Sequence, residues 1–206
     1  MLSQKARAII FHILGVFLTL ICCNPSAGAR DYNDSIVLKG TERTYRVHLP
    51  PSLKRVDKPP LLIVLHGGGG SGKQMERMTL GKFNTLADRE GFIVVYPDAL
   101  GRHWNDGRGL RRYFSQREGV DDVGFIAALI DHFLRELNVD RKRIYVAGMS
   151  NGAMMCFRLA CEFSERVAAV AAVAGAMPSR VSWRGSWKGE RKATTVAATE
   201  QRWSFT

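Results

Sequence analysis

The chain is short of cysteine, of acid and of long apolar runs. Four Cys in 206 residues are too few for a disulfide scaffold. Nineteen Asp and Glu face 30 Lys and Arg, giving a formal charge of +11. That surplus is dispersed: +2 over residues 1–29, +4 over 176–206 and +5 over the residues between. A nucleic-acid binder gathers its cations into a stripe. None is visible, so the charge reads as solvated surface and nucleic acid is not an expected partner. No Cys, His and Asp cluster has metal-ligand spacing, so neither a metal nor an organic cofactor is expected. There is no internal repeat. Hydrophobic residues at 46% and charged residues at 24% exclude a disordered chain, a collagen and a coiled coil.

No apolar run reaches the roughly 20 residues of a membrane span. The longest is AIIFHILGVFLTLICC, residues 8–23, interrupted only by His12 and Thr19. The basic segment MLSQKAR precedes it, and Pro25 and Ala27-Gly28-Ala29 follow. This is the pattern of a secretory signal peptide cleaved after Ala29. The expected location is therefore secreted, extracellular or periplasmic, with no stable membrane span after cleavage. Lipidation at Cys22 or Cys23 is disfavoured, because Ile21 and Cys22 match a lipobox poorly. Cleavage leaves Cys156 and Cys161. Five positions apart on one helix, they lie about 7.5 Å apart in rise and on different faces, so they should not bridge.

Strands and helices alternate along the rest. Thr44 to Leu49 alternates polar and apolar, as an edge or half-buried strand does. Leu61–Leu65 (LLIVL) and Phe92–Tyr96 (FIVVY) read as buried strands, with a helix over Lys73–Glu90 between them. A loop rich in Gly and Arg fills 97–120. Val123 to Leu137 carries apolar residues at helical spacing, and Arg143–Ala147 is a third buried strand. A helix over 152–163 and a strand over Val167–Val173 complete a β-α-β-α-β-α-β order. That order predicts an α/β fold: a mostly parallel, doubly wound sheet with helices on both faces. Sites in such sheets lie at the carboxyl ends of strands.

Two glycine-rich segments sit at such ends. Gly148-Met149-Ser150-Asn151-Gly152 is G-x-S-x-G, between a strand and an apolar helix. A sharp strand-to-helix turn there lifts a serine Oγ clear of the sheet. The helix N-terminus offers free N–H groups to a developing oxyanion. The bland alternative is a turn that merely caps a helix. His66-Gly67-Gly68-Gly69-Gly70-Ser71-Gly72-Lys73 admits three readings. As a phosphate loop it has Gln74 where a metal-binding Ser or Thr should stand. As a dinucleotide fingerprint it matches only as any glycine run does. As an oxyanion loop, His-Gly-Gly-Gly supplies a second oxyanion N–H. Only the last reading also accounts for Ser150.

The chain resembles the secreted esterases grouped as polyhydroxybutyrate depolymerases, feruloyl esterases and acetylxylan esterases, all α/β-hydrolases. The resemblance is carried by YRVHLP, LLIVLHGGGGSG, GFIVVYPDA, WNDGR, VDDVGFIAALID, RIYVAGMSNGAMM and RVAAVAAVAG, across residues 42–177. It implies Ser150 as nucleophile. It implies backbone oxyanion donors at Gly67 or Gly68 and at Asn151. It implies that Trp104 and Asn105 border the cleft, and that Asp121-Asp122 open a supporting helix. The implied substrate is an ester, possibly polymeric, with polyester, feruloyl and acetyl groups all compatible.

A serine nucleophile needs a base and an acid that orients it, in this fold in the order Ser, Asp or Glu, His. After Ser150 the chain has no Asp and no His. Glu162, Glu165, Glu190 and Glu200 are the acids that follow, and His12, His48, His66, His103 and His132 all lie upstream. His48 reads as a strand-surface residue, His66 as structural and His132 as a polar-face helix residue. His103 is the one substitute base within a cleft-bordering loop. After VAGAMP the family pattern stops, and the tail holds three of the four Trp with no strand run. The expectation is a signal peptide (1–29), a partial α/β-hydrolase domain (30–178) lacking its last strands, and an aberrant, unordered tail (179–206) arising by frameshift or early stop. A genuinely divergent short protein is the alternative. Strand 167–173 is then expected to be an open apolar edge. Two functions follow: a serine carboxylic ester hydrolase acting through an acyl-enzyme on Ser150, or a catalytically dead fragment or binding module.

Overall fold

The computed structural model describes residues 28–176 and a short strand at 197–199. All but residues 28 and 29 of the 1–29 signal-peptide reading, and most of the 179–206 tail, lie outside these residues. No helix among the described residues is long and apolar enough to cross a membrane.

One seven-stranded sheet organises the chain. Its strands are β1 (Arg30–Leu38), β2 (Thr41–Leu49), β3 (Leu61–Leu65), β4 (Ile93–Pro97), β5 (Ile144–Met149), β6 (Ala169–Val173) and β7 (Ala197–Thr199). They lie in the order β1-β2-β4-β3-β5-β6-β7. β1 and β2 form an antiparallel hairpin, and β2 runs antiparallel to β4. Every pairing from β4 through β7 is parallel. The mostly parallel α/β sheet expected from the strand–helix alternation is therefore the one observed.

The apolar strand runs are continuous because both faces are covered. Leu61, Ile63 and Leu65 of β3 join Ile93 and Val95 of β4 in one core, under helices α4 (Asp122–Glu136) and α5 (Asn151–Glu162). Val64, Val94 and Tyr96 point to the opposite face, where they meet Met75 and Ala87 of helices α1 (Gly72–Met78) and α2 (Lys82–Glu90). A short helix, α3 (Phe114–Arg117), interrupts the long loop after β4. α4 starts where Asp121 Oδ1 accepts the Gly124 N–H at 2.8 Å, an N-cap that satisfies an otherwise orphan donor. Phe125, Ile126, Leu129, Ile130 and Phe133 form its buried stripe. Burying a side chain of this size contributes about 1.5–3 kcal/mol.

Three expectations need correction. The helix over 73–90 is two helices. Thr79 Oγ1 donates back to the carbonyls of Met75 and Glu76, Leu80 turns to φ 52 and Gly81 to φ 62. The Gly81 N–H bonds to Glu76 O and the Leu80 N–H to Arg77 O, the paired bonds of a Schellman stop. His48 is not a surface residue. It is 4% exposed, with Nδ1 at 2.7 Å from Asp31 and Nε2 at 2.9 Å from Asp88. Strand β6 is not an open edge along its length, because Ala171–Val173 pairs with Ala197–Thr199 of β7.

Candidate active site

The sheet brings both glycine-rich segments together. β3 and β5 are neighbours in register, Leu65 opposite Gly148. The residues after each strand must therefore emerge side by side. β4 flanks β3 on its other side and delivers the 98–121 loop to the same rim.

Ser150 occupies the turn between β5 and α5. Its φ of 53° and ψ of −114° lie outside the regions that L-residues favour. Its N–H is held by Val173 O at 2.9 Å, and its own carbonyl accepts the Met154 N–H at 3.1 Å. The flanking glycines are demanded by contact. A Cβ on Gly152 would lie 2.5 Å from Leu65 O and 2.6 Å from His66 O. A Cβ on Gly148 would press on Gly152 O and on Cys156 Sγ at 2.8 Å. The sharp turn is therefore built into the sequence, and Ser150 is exposed at its apex. No hydrogen bond to Ser150 Oγ is present among the described residues.

Gly67 and Gly68 lie against this turn. A Cβ on Gly67 would sit 3.6 Å from Ser150 Cβ, and one on Gly68 3.7 Å from Asn151 Cβ. Among the described residues, the N–H groups of Gly67, Gly68 and Asn151 donate to no acceptor. Three amides without an acceptor thus belong to residues beside the serine. The loop shape is set by His66. Its Nδ1–H donates to Gly67 O at 2.7 Å, and its Nε2 accepts the Ala99 N–H at 3.0 Å. These partners fix a neutral ring, and burial lowers its pKa from the ordinary 6.5. The structural role expected of His66 is the one its bonds describe.

Trp104 and Asn105 take different places from a cleft rim. Trp104 is wholly buried. Its indole N–H donates to His66 O at 2.9 Å, so it underlies the glycine loop. Asn105 is half-buried and turned toward α4. Its N–H donates to Asp122 Oδ2 at 2.7 Å, and its side chain to Val120 O at 2.9 Å. Asp122 is paired in turn with Arg43 at 2.6 Å, both side chains being buried. Burial pushes the Asp122 carboxyl up, opposed by the Arg43 guanidinium and the Asn105 amide.

The WNDGR segment also supplied a residue to which the sequence reading gave no role. Asp106 is fully buried. It accepts from Arg108 Nε at 3.0 Å, from Gln116 at 3.1 Å and from Asn151 Nδ2 at 2.6 Å. Asn151 Oδ1 accepts the Trp104 N–H at 2.7 Å. The residue after the serine is thus locked to the loop after β4. The sequence signal was the Asp-x-Arg pair beside Trp104, which gave no partner 45 residues away.

A cavity of about 520 Å³ opens over Ser150, with Gly68, Asn151 and His103 in its wall. His103 is 5% exposed. Its Nδ1–H donates to Trp104 O at 3.1 Å, and its ring stacks on Tyr113 at 3.5 Å between centroids. Nε2 has no partner among the described residues. Burial lowers the pKa, and the charges of Arg108 and Arg112 act in the same direction. A second cavity of about 320 Å³ lies on the other side of the glycine loop, lined by Met75, Met78 and Met149. Among the described residues no group of acidic, Cys or His side chains could hold a metal. Cys156 and Cys161 are both free, and Cys156 is buried beneath the elbow.

The sequence profile of the family described as Esterase PHB depolymerase matches residues 43–183. A protein named "Putative esterase NocK", from Nocardia uniformis subsp. tsuyamanensis, is 35% identical over 157 residues, which are 75% of this chain and 44% of that protein. The bifunctional acetylxylan esterase/xylanase XynS20E of Neocallimastix patriciarum is 32% identical over 143 residues, 69% of this chain and 19% of that one. An acetyl xylan esterase structure from Aspergillus awamori superposes with a TM-score of 0.56 at 22% identity, over 71% of this chain and 53% of that chain. The structural likeness speaks to fold alone. The chain spans less than half the length of these two sequence relatives.

Proposed function

The chain belongs to the esterase PHB depolymerase family, and on that premise we propose that it is a carboxylic ester hydrolase working through an acyl-enzyme on Ser150. The observation that carries this reading is the convergence at Ser150. An exposed serine in a forced backbone geometry stands against the glycine loop, and among the described residues the amides of Gly67, Gly68 and Asn151 donate to no acceptor. Ser150 Oγ attacks the ester carbonyl carbon, and the carbonyl oxygen takes up the negative charge. Gly67 or Gly68 and Asn151 donate to that oxyanion, a contribution of about 3–4 kcal/mol per donor in comparable sites. The alcohol departs with a proton, and water then releases the acid. The proposed substrate class is an acetyl, feruloyl or polyester ester, of which the acetyl group matches the acetylxylan esterase names of two similar proteins. Residues 1–29 are proposed to direct export and to be removed, so the mature chain begins at Arg30.

A second reading rests on a separate observation, that neither Asp nor His follows Ser150. On that reading the cleft binds esters without turning them over. An oxyanion hole lacking its base retains only roughly 10³–10⁴-fold catalysis over water.

The deciding experiment exposes the purified protein to p-nitrophenyl acetate and to a fluorophosphonate, beside a Ser150→Ala variant. The hydrolase reading expects covalent labelling at Ser150 and turnover above the variant. Rates equal to those of Ser150→Ala defeat it. Ester binding with neither labelling nor turnover favours the binding reading, and ready labelling of Ser150 defeats it.

A further inference from the structure

The cavity over Ser150 is lined by three arginines and by no Asp or Glu. Arg102, Arg108 and Arg112 share its wall with Ser150, His103 and Tyr113. Arg108 is neutralised, since its guanidinium pairs with buried Asp106 at 2.7 Å. Arg102 and Arg112 pair with no carboxylate among the described residues. An arginine left unpaired on a convex surface is ordinarily just hydrated. These two differ because they converge on one concave wall and are restrained there.

Arg112 stands over the ring of Tyr113, its Cζ 4.8 Å from the centroid. Tyr113 in turn stacks on buried His103. The guanidinium is thus held on a two-ring stack, with its N–H fork left free. Arg102 donates to Gln74 Oε1 at 3.2 Å. Its backbone stands at φ 58, and its carbonyl accepts the Gly69 N–H at 2.7 Å. Both cations are therefore tied to the walls beside the oxyanion loop. A cleft lined by one sign of charge focuses its field and raises the local concentration of the opposite ion. The planar guanidinium fork matches a carboxylate in two parallel hydrogen bonds.

We propose that this site takes esters that carry a carboxylate, held by Arg102 and Arg112 while the ester carbonyl lies at Ser150. The inference rests on the reading of Ser150 as the reacting group. The free charge sits on the Ser150 side of the glycine loop, and the methionine-lined cavity on the other side is left for an uncharged portion.

The test measures binding, so that it stands apart from turnover. Amide analogues that do not react are titrated into the full-length protein, read by amide chemical shifts. One is 4-acetamidobutyrate, with its charge on the alcohol side. The other is N-methylsuccinamate, with its charge on the acyl side. Each is compared with its own uncharged primary amide. At low salt at least one acid should bind more tightly than its amide by roughly two- to fivefold per arginine engaged. The preferred acid identifies the side. The preference should fall toward unity in Arg112→Gln, reverse in Arg112→Glu, and shrink as salt shortens the screening length. Arg102→Gln should act like Arg112→Gln, while Lys54→Gln, exposed on a distant turn, should leave the preference intact. Equal binding of acid and primary amide, undetectable binding of both acids, or an equal effect of Lys54→Gln overturns the inference. Absence of fluorophosphonate labelling would instead overturn the esterase reading, leaving this measurement unaffected.

Discussion

The side-chain amide of Asn151, one residue past the apex of the elbow, donates to the buried carboxylate of Asp106 at 2.6 Å. This bond ties the turn after β5 to the loop after β4. The same Asp106 holds Arg108, so one carboxylate positions both the residue after Ser150 and a cavity wall. Asp106→Ala should destabilise the protein by about 1.5–3 kcal/mol, the range for a hydrogen bond to a charged group. It should also slow Ser150 labelling, because the Asn151 turn loses its tether. Urea denaturation measures the first effect and fluorophosphonate kinetics the second. A loss under about 0.5 kcal/mol would show that Asp106 does not organise the site.

Two glycines at the site should respond differently to alanine. Gly152 has no room, since a Cβ meets two carbonyl oxygens at 2.5 and 2.6 Å. Gly152→Ala must push α5 away from β3, at about 1–3 kcal/mol or more. Gly69 has open space but sits at φ +75. Gly69→Ala costs only the left-handed conformation, about 1–2 kcal/mol. Labelling of Ser150 should therefore fall sharply in the first variant and little in the second. Equal loss of labelling in both would mean that the helix–strand contact does not set the serine.

His66 gives the fold a pH dependence of fixed sign. The folded ring is neutral, because Nε2 must accept the Ala99 N–H. Burial lowers its folded pKa below 6.5. On acidification the unfolded chain takes up a proton first, so stability is fully present above about pH 6.5 and is lost as pH falls through the folded value. His103, lowered by burial as well, adds in the same direction. The urea midpoint should fall between about pH 7.5 and about pH 5.5, and His66→Gln should flatten part of that slope. A midpoint that rises on acidification would contradict this assignment.

Legibility in the sequence followed the kind of signal each element sends. β3 and β4 were plain because two covered faces leave no polar position in the run. The Ser150 elbow was plain because contact forces its glycines into a fixed spacing. β1 sent no such signal. It is an outer hairpin strand whose sequence RDYNDSIVL remains largely exposed, and polar residues there cost nothing. The break at Leu80 was hidden because a non-glycine residue took the left-handed position and Gly81 followed it. His48 read as surface because its two carboxylate partners come from a neighbouring strand and from α2, which periodicity does not show. The tether between Asn151 and Asp106 was invisible for the same reason, since spacing reports local contacts and this one closes across the sheet. The arginine wall lay in a loop whose charges looked dispersed along the chain and converge only when the loop folds over Ser150.

Ser150 itself should pay a measurable strain. It is a non-glycine residue at φ 53 and ψ −114, and such conformations cost about 1–3 kcal/mol. Glycine adopts positive φ freely but loses about 0.5–1 kcal/mol of chain entropy on folding. Ser150→Gly should therefore stabilise the protein by about 0.5–2 kcal/mol while abolishing fluorophosphonate labelling. Ser150→Ala keeps the Cβ and hence the strain, so it should abolish labelling with little gain in stability. The two variants separate backbone strain from the loss of the hydroxyl. Thermal melts of both, run beside the parent protein, decide the matter. If Ser150→Gly melts lower than Ser150→Ala, the turn is not strained and the chain-entropy cost of glycine is all that remains.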